Sequence, residues 1–519
     1  MAQRNAAVED CGGSAFCIAE TRYGRVQGFS DCGVHRFLGV PYGAPTGGAN
    51  RFRPPRPPAP WTGLRECFGY GPVCPQTLTP LTHPYGRLIQ LDLAVAQGGM
   101  GEDCLRLNIW TPGLEDGIRR PVMFCIHGGG FAISSGNASL YDGAQLAHSG
   151  DVVVVSVTHR LGALGFLSLA DAGGPEEEFA AAGMAGMLDL VAALEWVRDN
   201  IEHFGGDPRC VMAFGQSGGG WKMSVLLAMP SVQGLVHRAA VQSGSLLQVQ
   251  TREAAAASAH ALLQDLGLTT GTATRIQDLS WQHILAAQAR VGAHRFTPVL
   301  DGICLQRHPC DPEAPAESAD IPLIISTTLD DASLFFDNFS LDEAGLARWL
   351  EARHGEMASQ IHELYRARWP GKTPFLLQAQ IVTDNGFRRF AHHQAERKAA
   401  QQRAAVYCYR WDWATPALGG LYGAAHASDV AASLGNCREA LLGGAVGAAK
   451  ELSEALTSAW VAFARHGDPN NPRTPRWPAY TQQSRSTLIF DERLRIENDP
   501  DADLRVLWEG LPAPATVFG

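Results

Sequence analysis

A serine framed by glycines, Gly215-Gln216-Ser217-Gly218-Gly219, has the G-x-S-x-G form of a nucleophile on a sharp strand-to-helix turn, from which a hydroxyl can attack an acyl carbonyl. With 56 glycines in the chain the pattern alone is weak, so its surroundings decide. A second glycine turn, His127-Gly128-Gly129-Gly130-Phe131, carries bare backbone N–H groups that, with the N–H of Gly218, could hold the oxyanion of a tetrahedral intermediate. The hydroxyl needs a base and the base an orienting acid, in the chain order serine, acid, histidine. Leu329-Asp330-Asp331-Ala332-Ser333 offers two carboxylates between which spacing cannot choose, and Tyr422-Gly423-Ala424-Ala425-His426 offers an imidazole among small residues. Of 17 histidines, His426 is singled out by its place in that order. Acyl transfer of this kind requires neither a metal nor an organic cofactor.

These residues stand at the ends of apolar runs. Cys210–Gly215 (CVMAFG) before the serine predicts a buried strand, and Gly220–Met229 after it a helix. Pro121–His127, Asp151–Thr158, Val236–Gln242, Ile321–Thr327 and Ala404–Trp411 predict further buried strands. Met184–Phe204 predicts a helix with Leu188, Val191, Ala192, Leu194, Trp196 and Val197 largely on one apolar side. Strand alternating with helix implies an α/β fold: a mostly parallel sheet with helices on both faces. Val40–Trp61, rich in Pro and Gly, reads as irregular chain over the core, and Asp171–Phe179 as a solvated acidic loop. Helix-rich insertions around 254–293 and 342–403 are expected to roof the site of a single domain spanning 1–519.

Composition limits the partners. The 519 residues, 45% hydrophobic and 18% charged, describe a folded chain, and a net charge of −10 without a long basic block argues against nucleic acid. A small, neutral or weakly polar substrate suits that charge. The opening MAQRNAAVEDCGGSAF lacks the apolar stretch of a secretory leader, and no uninterrupted apolar run reaches membrane-spanning length, so the expectation is a soluble, cytoplasmic protein. The twelve cysteines form no C-x-x-C pair and read mostly as buried thiols. Oligomeric state is left open.

The chain resembles the type B carboxylesterases, the family of bacterial para-nitrobenzyl esterases, mammalian carboxylesterases and cholinesterases. The resemblance rests on Phe37–Tyr42 with Arg51–Pro55, Glu102–Asn108 (EDCLRLN), Arg160–Phe166 (RLGALGF), Phe204–Pro208, Gln242–Gly244, and Ala459-Trp460 with Gly467–Asn470, all in order. It implies an α/β-hydrolase fold, a small-molecule ester as substrate, and Ser217, Asp331 and His426 as triad. Asp331 is favoured over Asp330 because it falls where the family has a Glu. The resemblance further implies Gly129, Gly130 and Gly218 as oxyanion donors, Ser243 as support for the triad, and Cys74 with Cys104 as the counterparts of a family disulfide, a bond left open here.

Three departures from the family pattern stand out: Gln216 where Glu is usual, Asp331 where Glu is commoner, and the pair Trp221-Lys222 where a small residue and Ser are usual. Lys222 would either pair with a buried acid or extend as a solvated stem. Phe131, Gln216, Trp221, Phe335 and Phe336 are candidate pocket residues, with Phe339, Trp411 and Trp413 as further aromatic candidates, which favours apolar acyl or aryl esters. The rivals are an amide or carbamate hydrolase using the same residues and, more remotely, a catalytically dead binding or adhesion module.

Overall fold

The computed structural model describes residues 15–78, 86, 98–442 and 447–514. In chain order its strands are β1 (Ala15–Ala19), β2 (Arg25–Asp31), β3 (Val34–Pro41), β4 (Leu64–Glu66), β5 (Arg106–Thr111), β6 (Arg120–Ile126) and β7 (Val153–Thr158). They continue with β8 (Gly206–Gln216), β9 (Arg238–Gln242), β10 (Leu323–Thr328), β11 (Val406–Trp411), β12 (Ser486–Phe490) and β13 (Arg495–Asn498). One sheet takes them in the order β1-β2-β3-β5-β7-β6-β8-β9-β10-β11-β12-β13, with β4 beside β2.

From β7 to β12 all neighbours run parallel. That stretch contains every strand expected from the sequence, because a strand covered on both faces is apolar at nearly every position. Alternate residues of β6 supply two cores. Val122, Phe124 and Ile126 join one that includes Leu190 and Val197 of helix α1 (Ala185–Asn200). Met123 and Cys125 join the other, which includes Leu452 and Trp460 of the helix Ala448–His466. The antiparallel strands β1, β2, β3 and β5 escaped the sequence reading. β1 and β2 carry exposed and half-buried positions, so they lack a continuous apolar run.

Residues 176–204 are long and apolar enough to cross a membrane by length and composition, but most of that apolar window is buried inside the fold. Asp171–Phe179 is not simply a solvated loop. It includes the short helical turn Glu176–Phe179, whose glutamates are exposed while Phe179 is buried and carries the Arg53 guanidinium 5.5 Å above its ring. Ala172 is buried as well, and ion pairs of Asp171 with Arg252 and of Glu178 with Arg53 tie the segment at both ends. Cys74 and Cys104 are both buried, free and in thiol-to-thiol contact. The opening fourteen residues, on which the localisation expectation rests, lie outside the described ones.

The two insertions differ in what they touch. The first holds helices Arg252–Asp265 and Trp281–Val291 and packs on the RLGALGF segment, where Gln288 Oε1 accepts from the Ala163 N–H at 2.6 Å. The second holds helices Glu343–His354, Ala358–Arg368, Pro374–Thr383 and Arg389–Ala400, the last two joined by a π-helical turn, Asp384–Arg388. It grips the loop after β10: Thr383 Oγ1 accepts from the Ala332 N–H at 2.9 Å, and Arg388 Nη2 donates to Thr328 O at 3.0 Å.

Candidate active site

β8 ends at Gln216 and helix α2 (Gly218–Leu226) begins two residues later, so Ser217 must turn the chain alone. It does so at φ 57°, ψ −124°, a conformation that costs a non-glycine residue about 1–3 kcal/mol. The surroundings hold it there: Ser217 N–H donates to Gln242 O at 2.8 Å, and Trp221 N–H donates to Ser217 O at 3.0 Å. Gly129 and Gly130 turn the second loop at φ 79° and 61°, where side chains are disfavoured. The two turns touch, since a Cβ on Gly218 would lie 2.2 Å from Gly130 N and 2.3 Å from Gly130 O. Among the described residues, none of the N–H groups of Gly129, Gly130 and Gly218 donates to a protein acceptor. Three free donors stand together at the N-terminus of α2, where the helix dipole also favours negative charge.

Asp331 Oδ1 lies 2.7 Å from His426 Nδ1, both residues being buried. Asp331 Oδ2 accepts from Ser243 Oγ and from the Thr328 N–H, each at 2.9 Å. A carboxylate held this way fixes the proton on Nδ1 and leaves Nε2 as the acceptor. Asp330 has separate work. It accepts from the Ala424 N–H at 3.0 Å and forms an ion pair with Lys372, tying down the loop that carries the imidazole. The unexpected contact is at His426 Nε2. It takes its hydrogen bond from the Gln216 carboxamide, Nε2 to Nε2 at 2.9 Å, and among the described residues the Ser217 hydroxyl makes no bond there.

A second buried carboxylate stands behind this pair. Asp429 Oδ2 accepts from Tyr409 Oη at 2.8 Å, Gln242 Nε2 at 3.0 Å and Ser326 Oγ at 3.2 Å. Burial pushes its carboxyl up to about 6, the Tyr409 bond opposes that, and the nearby Asp331 charge adds to it.

The carboxylesterase family model matches residues 17–505. This chain belongs to the carboxylesterase family. The para-nitrobenzyl esterase of Bacillus subtilis is 36% identical over 503 residues, covering 94% of this chain and 97% of that protein. The phenmedipham hydrolase of Pseudarthrobacter oxydans is 32% identical over 506 residues, covering 93% and 97%. Among solved structures, a carboxylesterase of Geobacillus stearothermophilus superposes with a TM-score of 0.81 at 35% identity, over 95% of this chain and 99% of that one. The chain is a carboxylic ester hydrolase with the α/β-hydrolase fold.

Within this carboxylesterase, rings crowd the imidazole. Phe335 meets His426 edge-on at 5.2 Å, Phe387 lies 5.3 Å from it, and the two phenylalanines stack at 6.2 Å. Phe131 stacks on Trp221 at 5.9 Å beside the glycine turn. Trp221 and Phe336 pack against the cluster that contains Ala332, Phe387 and Phe390. Other aromatic expectations are corrected. Trp411 and Trp413 are core residues, Trp411 stacking on Phe490 at 5.8 Å, and Phe339 packs on Phe375 and Tyr422. Phe387 went unnoticed in the sequence, since only the π-helical turn aims it at the imidazole. Lys222 meets neither expectation: it is fully buried, forms no ion pair among the described residues, and donates to two backbone carbonyls, His127 O at 3.0 Å and Gly128 O at 3.4 Å.

Proposed function

We propose that Ser217 is the nucleophile of this carboxylesterase, His426 its general base, Asp331 the acid that orients the base, and Ser243 a support for that acid. The observation that carries this reading is the 2.7 Å Asp331–His426 bond beside a strained serine turn whose own Gln216 reaches the same imidazole. Once the carboxamide leaves Nε2, that nitrogen takes the Ser217 proton as Oγ bonds to the carbonyl carbon. The N–H groups of Gly129, Gly130 and Gly218 receive the oxyanion. The intermediate collapses with cleavage of the ester C–O bond, the imidazolium returns the proton to the leaving alcohol, and water repeats the sequence on the acyl-enzyme.

For substrate the reading is an ester with apolar acyl or aryl groups. Phe131, Trp221, Phe335, Phe336 and Phe387 support it, since rings near the reacting centre favour apolar groups. So does the name of the Bacillus relative, a para-nitrobenzyl esterase. The test is a series of para-nitrophenyl esters of increasing acyl length on wild type and Ser217→Ala. Wild type is expected to turn over several members, and the variant to lose about a thousandfold or more in kcat. Hydrolysis surviving in Ser217→Ala would remove the nucleophile from the scheme.

A further inference from the structure

Lys222 is an ionisable side chain in a place where, among the described residues, no counter-charge pairs with it. It sits in the second turn of α2, is fully buried, and among the described residues its hydrogen-bond partners are the carbonyl oxygens of His127 and Gly128. Two further basic groups share the space. The rings of His127 and His159 stack at 4.8 Å, and both are held well below the usual imidazole range, by burial first and by the Lys222 charge second. Neither ring offers a negative counterpart: each Nδ1 donates to a backbone carbonyl, His127 to Gly128 O at 2.9 Å and His159 to Arg160 O at 2.8 Å. Burial likewise drives the Lys222 amine well below its ordinary value. A lysine kept there against that desolvation cost must return something through its N–H donors.

What it returns follows from peptide geometry. In a planar trans peptide the C=O of one residue and the N–H of the next point in opposite directions. Lys222 pulls His127 O, and the following N–H, that of Gly128, points away to Tyr141 Oη at 2.8 Å. Lys222 and His127 Nδ1 together pull Gly128 O, and the following N–H is that of Gly129, one of the three donors left free at the site. We propose that Lys222 is a positioning residue of the oxyanion turn, tethering the Gly128 carbonyl from below so that the Gly129 N–H faces the substrate oxygen. The assignment rests on the esterase reading above, with Ser217 as nucleophile. Trp221, its neighbour on α2, stacks on Phe131 from the other end of the same turn, so α2 grips the glycine turn at both ends.

The experiment compares wild type, Lys222→Met and Lys222→Gln on one para-nitrophenyl ester, with a trifluoromethyl ketone of the same acyl group as oxyanion mimic. A donor displaced by a fraction of an ångström to an ångström is expected to cost about 10- to 100-fold. The Met variant should therefore lose that much in kcat, with KM within about twofold, and lose ketone affinity in proportion. The Gln variant keeps an N–H for the carbonyl and should recover kcat to within about tenfold of wild type. A folded Met variant with unchanged kcat and ketone affinity, or one whose loss lies in KM alone, overturns the proposal. Should the Met variant fail to fold, the Gln variant decides, and a folded Gln variant more than about tenfold down overturns it. An inactive wild type, or an active Ser217→Ala, would instead mark the failure of the esterase reading itself.

Discussion

At residue 216 a carboxamide sets what the base must do before it can act. Gln216 is neutral and donates to His426 Nε2, the atom that has to receive the Ser217 proton, so the resting imidazole is capped rather than engaged. Around that ring stand the carboxylate of Asp331 on Nδ1, the buried Asp429 nearby, and the apolar edges of Phe335 and Phe387. Gln216→Glu would add a third carboxylate to the surroundings of the ring, the first within hydrogen-bond distance of Nε2. An opposite charge that close favours the imidazolium, typically by about 1–3 pH units. The acid limb of the kcat/KM profile should move upward accordingly, lowering activity near pH 7 and restoring it in alkaline solution. Because kcat/KM reports the free enzyme, a profile superimposable on wild type would mean that residue 216 does not hold Nε2 in the resting site. From sequence, the missing family Glu was visible and an altered field on His426 could be anticipated. The direct contact could not, because it joins side chains 210 positions apart.

At the scale of elements, the site depends on two turns brought into contact by parallel strands β6 and β8. The Gly218 α-carbon faces the Gly130 backbone at a separation that leaves no room for a methyl group. Gly218→Ala should push the turns apart and misplace oxyanion donors while leaving the sheet intact. The expected result is a loss of about a hundredfold in kcat with an unchanged circular dichroism spectrum and similar KM. Wild-type turnover in the alanine variant would show that the contact is slack. Both turns were legible because apolar strands lead into them, and the twice-covered strands β6 to β11 announce themselves. Several of the motifs that carry the family resemblance turn out to be clamps. Arg51 binds Glu102 through two 2.6 Å bonds, and Arg160 grips Asp189 of α1 at 2.6 and 2.8 Å in full burial. The π-helical turn Asp384–Arg388 was hidden, since Thr383-Asp384-Asn385-Gly386 consists of cap and turn residue types that would mark a break between two helices rather than a wider turn carried through them.

Over the whole molecule, what composition and periodicity cannot reveal is which distant polar groups are buried together. Gln242 at the end of β9, Ser326 in β10 and Tyr409 in β11 converge on one oxygen of Asp429, three residues after the base, while its other oxygen is buried without a hydrogen-bond partner among the described residues. This junction ties three adjacent strands to the loop that carries His426, at a cost in stability that depends on pH. An unfolded aspartate titrates near 3.9, whereas burial holds the folded carboxyl at about 6. Below about pH 4 both states are protonated and the group contributes nothing. Between about pH 4 and 6 the folded state keeps a proton the unfolded state has released, so stability falls as pH rises, by up to about 3 kcal/mol, and the penalty is complete above pH 6. Asp429→Asn retains an acceptor oxygen for the three donors and removes the titration. Denaturant unfolding of both proteins from pH 4 to 8 should therefore show the asparagine variant gaining on wild type across pH 4 to 6, with a constant difference above that. A difference flat across the whole range would mean that Asp429 is not held up by burial. The junction would then owe its stability to its hydrogen bonds alone, and the carboxylate's charge would play no part in fixing the loop beside the base.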